Sequence, residues 1–296
     1  MDQETLNSYL KAGEIAAEVL EYGKSLIKPE AKVVEILDLI EKKIIEKGGN
    51  IAFPAQISLN EVAAHNCPDL NDQTTLKDQV VKMDIGVHID GYIADTATTI
   101  DLSQQHTELV KASREALNEA LKLVAPGTEL REIGKKIHEI ITAHGFSPIR
   151  NLSGHGLDQY QIHTSPSIPN FDNGNENILE EGDVIAIEPF ASSGAGIVQE
   201  SSPATLFSLV AEHPIRDPIT RSVLKEIQTY QGLPFTKRWL ERKFTTNKTN
   251  FALRNLLRSG CLQEHAPLVD KNKGMVSQAE HSVIVLEKPI VFTRTD

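Results

Sequence analysis

Asp84 and Asp95 stand on either side of Asp90-Gly91 in the run Lys82-Met83-Asp84-Ile85-Gly86-Val87-His88-Ile89-Asp90-Gly91-Tyr92-Ile93-Ala94-Asp95. A two-residue Asp-Gly link between β-favouring runs predicts a hairpin. With that turn Gly86 faces Asp95 and Asp84 faces Ala97, so both carboxylates share a sheet face as diagonal neighbours about 7 Å apart. Like charges so close repel: one is driven protonated, unless divalent ions between them hold both ionised. Gly86, on the same face, leaves space. The alternative is that both aspartates sit at strand ends in water.

Two more acids fall in apolar runs, Glu188 in Ala186-Ile187-Glu188-Pro189-Phe190 and Glu280 in Gln278-Ala279-Glu280-His281-Ser282-Val283-Ile284. A carboxylate removed from water must be paired, protonated or bound to metal. His155, between glycines in Ser153-Gly154-His155-Gly156, adds an imidazole that something can approach closely. Four carboxylates and one imidazole suit two divalent ions such as Mn, Fe, Co or Zn, and so much hard oxygen argues against copper. Two ions about 3.5 to 4 Å apart activate a water and polarise a carbonyl, which is hydrolytic chemistry.

The elements that must position these groups are legible in the periodicity. Residues 3–26 read as an amphipathic helix, and a second starts at Pro29 and stops at Gly48-Gly49. Strands follow at 51–53, 79–87 and 92–99. A second helix pair, 106–124 and 129–144, precedes strands near 149–152, 161–163 and 184–191, and a last strand covers 281–285. The order helix, helix, strands thus occurs twice, and Val80-Val81-Lys82-Met83-Asp84 echoes Val184-Ile185-Ala186-Ile187-Glu188. An internally duplicated α+β domain is expected, spanning 1–211 and 271–296, each half delivering acid to a shared centre. Residues 212–270 differ: they are helical in pattern and hold ten Lys or Arg against six Asp or Glu, a +4 block read as an inserted subdomain with Phe235 and Trp239 in its core.

The whole chain has 296 residues, 30 Lys plus Arg against 41 Asp plus Glu, and a net charge of −11, which argues against a surface that tracks nucleic acid or anionic lipid. With 40% apolar and 24% charged residues, disordered, collagenous and coiled-coil classes are excluded. Cys67 and Cys261 cannot build a disulfide framework or a four-sulfur zinc site and are read as reduced thiols. No signal peptide is evident, and no apolar run approaches the roughly 20 residues a membrane span needs, so a cytoplasmic protein without membrane partners is expected. His88, His106, His138, His144, His213, His265 and His281 are read as structural or solvated, and Asp90 as a turn former.

The segments around these residues resemble one family closely. Phe53-Pro54 through Asn60-Glu61-Val62-Ala63-Ala64-His65, the hairpin run, Asn151-Leu152-Ser153-Gly154-His155-Gly156, Ala186-Ile187-Glu188-Pro189-Phe190 and Gln278-Ala279-Glu280-His281 look like methionine aminopeptidase. Gly232-Leu233-Pro234-Phe235 and Arg238-Trp239-Leu240 resemble the winged-helix-like insertion of the type II enzymes, and the start of the chain is similar to archaeal members. The resemblance implies the duplicated pita-bread fold and places its five metal ligands on Asp84, Asp95, His155, Glu188 and Glu280. It implies Glu188 as the proton shuttle, His65 and His163 as catalytic and substrate-binding histidines, and Phe53 and Ile162 in an apolar methionine pocket. Ser153 departs from the Asn of eukaryotic relatives. A monomer acting on peptide or nascent-chain N-termini is expected, with weak ribosome docking through the +4 block and no DNA partner, since the acidic body repels phosphate. The rival readings are a proline-directed aminopeptidase of the same fold and a non-catalytic homologue that binds RNA or protein.

Overall fold

The structure, a computed structural model, describes residues 1–201 and 203–294, so residues 295–296 of the expected 271–296 segment lie outside it. Two helices open the chain, α1 (Gln3–Leu26) and α2 (Val33–Glu46). Asp2 caps α1 by accepting from the Thr5 amide, which satisfies a donor that a helix start leaves free. α2 begins at Val33 rather than at Pro29. Glu30 takes φ 69°, and the amides of Glu30 and Val33 donate to the carbonyls of Leu76 and Thr74, so this stretch pairs with another segment instead of coiling.

The next strands are β1 (Asn50–Leu59), β2 (Val62–Ala64), β3 (Val80–Ile89) and β4 (Tyr92–Asp101), with β1, β3 and β4 forming an antiparallel sheet in that order. Asp90 and Gly91 both have positive φ, 51° and 90°, as the tight two-residue turn requires. The register is the expected one: Gly86 faces Asp95 and Asp84 faces Ala97. β1 is longer than the 51–53 run because it continues through Pro54. The proline falls where the register shifts between Phe53 and Gln56, and at a bulge its missing N–H breaks no ladder bond. That shift has a consequence for the face presented. Residues 53 and 56 would point to opposite sides of a regular strand, yet with the bulge both face the same cavity.

The second half repeats the order with α3 (Thr107–Leu121), α4 (Leu130–Ala143), β5 (Ser147–Pro148), β6 (Ser153–Asp158), β7 (Gln161–Pro169), β8 (Val184–Ile187) and β9 (Phe190–Ser192). Residues 149–152, expected as a strand, link β5 to β6. The expected 184–191 strand is split at Glu188-Pro189, since proline has no amide for the ladder. Each half has its own apolar core, one between α1, α2 and the β1-β3-β4 sheet, the other beneath α3 and α4 and including Ile185, Ile187 and Val283. The architecture is α+β.

β10 (Val198–Glu200) leads into β11 (Leu206–Leu209), α5 (Pro218–Gln228), β12 (Phe235–Thr236), α6 (Lys237–Lys243), α7 (Thr246–Arg258) and β13 (Leu262–His265). β11 lies between β12 and β13 in one sheet, and a third core runs from Phe207 to Leu262, with Phe235 inside it and Trp239 packed against it. The inserted unit therefore recruits a strand that precedes residue 212. At its far end β14 (Leu268–Asp270) pairs instead with β10 and β2, outside that sheet. The chain closes with β15 (Val276–Gln278), β16 (His281–Ile284) and β17 (Ile290–Val291), and β16 inserts beside β8 in a five-stranded sheet ordered β17-β16-β8-β6-β7. Among the described residues no helix is long and apolar enough to cross a membrane.

Candidate active site

Five side chains from five places meet where the two halves face each other. Asp84 comes from β3, Asp95 from β4 and His155 from β6, while Glu188 sits in the break after β8 and Glu280 in the link between β15 and β16. Glu188 therefore lies in a break of the expected 184–191 strand, and Glu280 lies just before the expected 281–285 strand. Glu280 is nonetheless tied to β4: its amide donates to the Ala97 carbonyl at 3.1 Å, and Thr96 Oγ1 donates to its carbonyl at 2.9 Å. Ser282 adds a second stitch, accepting from the Asp95 amide at 2.9 Å and donating to the Asp95 carbonyl at 2.8 Å. The glycines around His155 admit neighbouring backbone, for a Cβ on Gly154 would lie 2.2 Å from the Ala186 carbonyl oxygen and one on Gly156 2.1 Å from that of Ser165.

Donor atoms of Asp95, His155 and Glu280 lie within 4.8 Å of one another, and all three residues are buried. His155 Nε2 is 3.7 Å from Asp95 Oδ2 and 3.7 Å from Glu188 Oε1. Its Nδ1 sits 3.2 Å from the Gly156 carbonyl, a contact that requires the proton on Nδ1 and turns the Nε2 lone pair toward the carboxylates. Burial, reinforced by His163, pushes the His155 pKa down to about 3, so the ring is neutral. A lone pair facing two carboxyl groups is satisfied by a proton on one of them or by a cation between them.

The carboxylates report the same demand. Burial raises Asp84 to about 7, and burial together with the neighbouring acids raises Asp95, Glu188 and Glu280 well above the ordinary range. Asp84 Oδ1, Asp95 Oδ1 and Glu280 Oε2 are buried without a hydrogen-bond partner. Orphaned oxygens on neighbouring acids, with an imidazole lone pair aimed among them, fit a divalent cation site of hard and borderline ligands.

Beside the cluster is a cavity of about 490 Å³ lined by all five residues and by His65, His163, Phe53 and Ile162. His163, on β7, packs edge-on against His155 with ring centroids 4.3 Å apart. His65 follows β2. Burial, with the facing His265 and His163, lowers its pKa to about 4, and His163 is lowered for the same chief reason, so both are neutral at pH 7. The space attributed to Gly86 is taken by Phe53: a Cβ there would lie 2.2 Å from the Phe53 ring, and it is this aromatic, not an ion, that occupies the gap.

Two features escaped the sequence reading. His265, read as structural, lines the cavity with its ring 5.7 Å from that of His65 and its Nε2 2.9 Å from Ser208 Oγ. Leu206, Leu233 and Pro234 of the inserted unit form another wall. Neither carries a local signal, because the pairing of β11 with β13 brings His265 there and its pairing with β12 brings the adjoining Leu233 and Pro234. By contrast His281, beside Glu280 in sequence, points away as expected and bonds to Thr293 and Arg114. His88 accepts from the Gly91 amide at 3.0 Å and supports the hairpin turn.

A mixed α+β frame whose halves converge on buried carboxylates and a histidine, beside an apolar-walled cavity, defines a metal-dependent hydrolase. Residues 7–214 match the model of Metallopeptidase family M24. The chain is 46% identical over 287 residues to a methionine aminopeptidase of Thermococcus onnurineus, covering 96% of this chain and 97% of that one. It is 41% identical to the methionine aminopeptidase of Methanocaldococcus jannaschii, over 99% of both. Among solved structures, that of a thermophilic Arx1 has a TM-score of 0.88 at 20% identity, covering 100% of this chain and 92% of that one, a likeness of fold. The chain belongs to metallopeptidase family M24, and within it to the methionine aminopeptidases; its fold is the pita-bread fold and it is a metal-dependent aminopeptidase.

Proposed function

We propose that this aminopeptidase removes the initiator methionine from new polypeptides, using a pair of divalent ions, of Co, Mn, Fe or Zn, held by Asp84, Asp95, His155, Glu188 and Glu280. The single observation that carries the reading is the set of partnerless carboxylate oxygens at the floor of a cavity walled by Phe53 and Ile162. When bound, the ions supply Lewis-acid polarisation of the scissile carbonyl and make a water acidic enough to attack near pH 7. Glu188 takes the proton from that water and delivers it to the leaving amine, a role typically worth about 10²- to 10⁴-fold. His163, neutral, donates to the carbonyl oxygen as charge develops on it, and His65 hydrogen-bonds the scissile amide. Phe53 and Ile162 accept the first side chain, where an unbranched thioether fits without charge to desolvate.

The inserted unit, read as a separate subdomain from the 212–270 block, serves in this proposal as a cleft wall. Docking to a phosphate-rich ribosome surface has less charge to draw on than the +4 composition suggests. Arg242 and the buried Arg238 pair with Asp38, Lys243 with Glu226 and Lys237 with Asp69, which leaves exposed Arg216, Arg221, Lys225, Lys248, Arg254 and Arg258 to supply it. The protein acts as a monomer in the cytoplasm on this reading.

Hydrolysis of Met-Ala-Ser and of Ala-Pro, with and without a chelator, tests the function. Chelator-sensitive release of methionine alone is expected. Cleavage of Ala-Pro instead identifies a proline-directed enzyme, and no cleavage by metal-loaded protein leaves a binding protein.

A further inference from the structure

His65 has a backbone that a residue with a Cβ rarely adopts, with φ at +63°. Such a conformation persists only where its surroundings over-determine it. Among the described residues one side chain meets the His65 amide directly: Gln56 Oε1 accepts from His65 N at 2.7 Å. Gln56 is 6% exposed, lines the cavity and stands opposite Asp84 in the β1–β3 register, on the far side of the bulge from Phe53. The bulge is what turns Gln56 to this face.

The remaining ties are weaker guides for the ring. Asn66 Nδ2 donates to the Ile57 carbonyl at 2.7 Å, which holds the next residue to β1 but leaves the His65 peptide free to rotate. The Ala266 backbone offers the imidazole a hydrogen bond, which acts only once the ring is already there.

We propose that Gln56 is a positioning residue for His65: its side-chain oxygen pins the left-handed His65 amide, and the imidazole is thereby aimed at the scissile amide of the substrate. A glutamine has the reach and the neutral acceptor this task needs. An aspartate or glutamate would add another negative charge facing Asp84, and an apolar side chain would leave the amide unbonded. The inference deepens the reading of His65 under the proposed function and rests on it.

The test is a double-mutant cycle on the metal-loaded enzyme with Gln56→Met and His65→Ala, read as kcat and KM on Met-Ala-Ser and as bound metal per chain. Gln56→Met is expected to lower kcat about two- to tenfold, the worth of one net hydrogen bond, with KM and metal content unchanged. In the His65→Ala background the same change should cost nothing further, a result that a general loss of packing would not produce. Gln56→Ala, which adds no bulk to the cavity wall, repeats the cycle if the methionine variant folds poorly. Equal losses in both backgrounds, a fall in metal content, or a wild-type kcat in the single variants would overturn the positioning role. Wild-type turnover of His65→Ala would overturn the role of His65 itself, and the two failures are told apart by that single variant.

Discussion

Asp84 is the residue whose environment says most about the centre. In the metal-free fold its pKa is raised, by burial, from the usual 3.8 to about 7. The native state then binds a proton that the unfolded chain has released, so this contribution is present below about pH 4 and lost as pH rises to about 7. Several buried histidines titrate in the opposite sense, and a comparison that cancels them is needed. Metal-free wild type should lose stability relative to Asp84→Asn between about pH 4 and pH 7, by on the order of a few kcal/mol. Denaturant titrations of the two proteins at matched pH check it, and parallel curves would contradict the burial. Because the ligands must be ionised to bind a cation, the rise in Tm on adding Mn or Co should grow over the same window. Asp95→Ala, which removes a donor from the middle of the cluster, should bind metal more weakly than wild type at low ion concentration, and metal analysis after dialysis decides it.

Strand pairs, rather than single residues, determine the shape of the pocket. Phe53 of β1 lies over Gly86 of β3 because no Cβ intervenes, and the bulge at Pro54 brings Gln56 round to the same side. Gly86→Ala puts a methyl 2.2 Å from the Phe53 ring, so either the ring or β1 must move. A cost of about 1 to 3 kcal/mol is expected from overpacking. The displaced ring should also raise KM for Met-Ala-Ser while the metal content stays at the wild-type value, since the backbone of β3 is retained. Thermal melts and steady-state kinetics read the two effects separately. An unchanged KM would mean that Phe53 does not touch the first side chain.

At the scale of the molecule, the inserted unit is held to the body by charge buried at the junction. Arg238 is fully buried and bonds to Asp38 and Glu41 of α2, while Trp239 Nε1 donates to Glu41 at 2.9 Å. Removing one partner of such a pair leaves the other uncompensated out of water. Arg238→Ala should therefore destabilise the protein by about 3 to 5 kcal/mol, and Arg238→Met with Glu41→Gln should recover much of that. Since Leu206, Leu233 and Pro234 wall the cavity, the single variant should also weaken tripeptide binding. The docking role is tested elsewhere on the unit, by reversing Lys248, Arg254 and Arg258 to Glu. A docking role predicts reduced co-sedimentation with ribosomes at low salt, with tripeptide turnover preserved. Identical sedimentation across a salt series would leave the unit as a cleft wall alone.

By itself the amino-acid sequence determined what local rules govern: the Asp90-Gly91 turn, the register it imposes on Asp84 and Asp95, the repeated helix-helix-strand order, and the presence of acids in apolar runs. These follow from turn geometry and from periodicities of 2 and 3.6, which act over a few residues. The resemblance proposes a five-residue ligand set, which goes further than those rules reach. Only the tertiary structure decided the rest. The bulge at Pro54 and the late start of α2 depend on partners distant in the chain, among them β3 and residues 74–76. His265 reaches the cavity because β11 lies between β12 and β13, and Arg242 is paired because Asp38 of α2 lies across the junction. Composition counts such a charge as free, and periodicity reads such a histidine as ordinary. Both change meaning only when packing sets what stands opposite them, because pairing energies depend on distance and burial in space and not on separation along the chain.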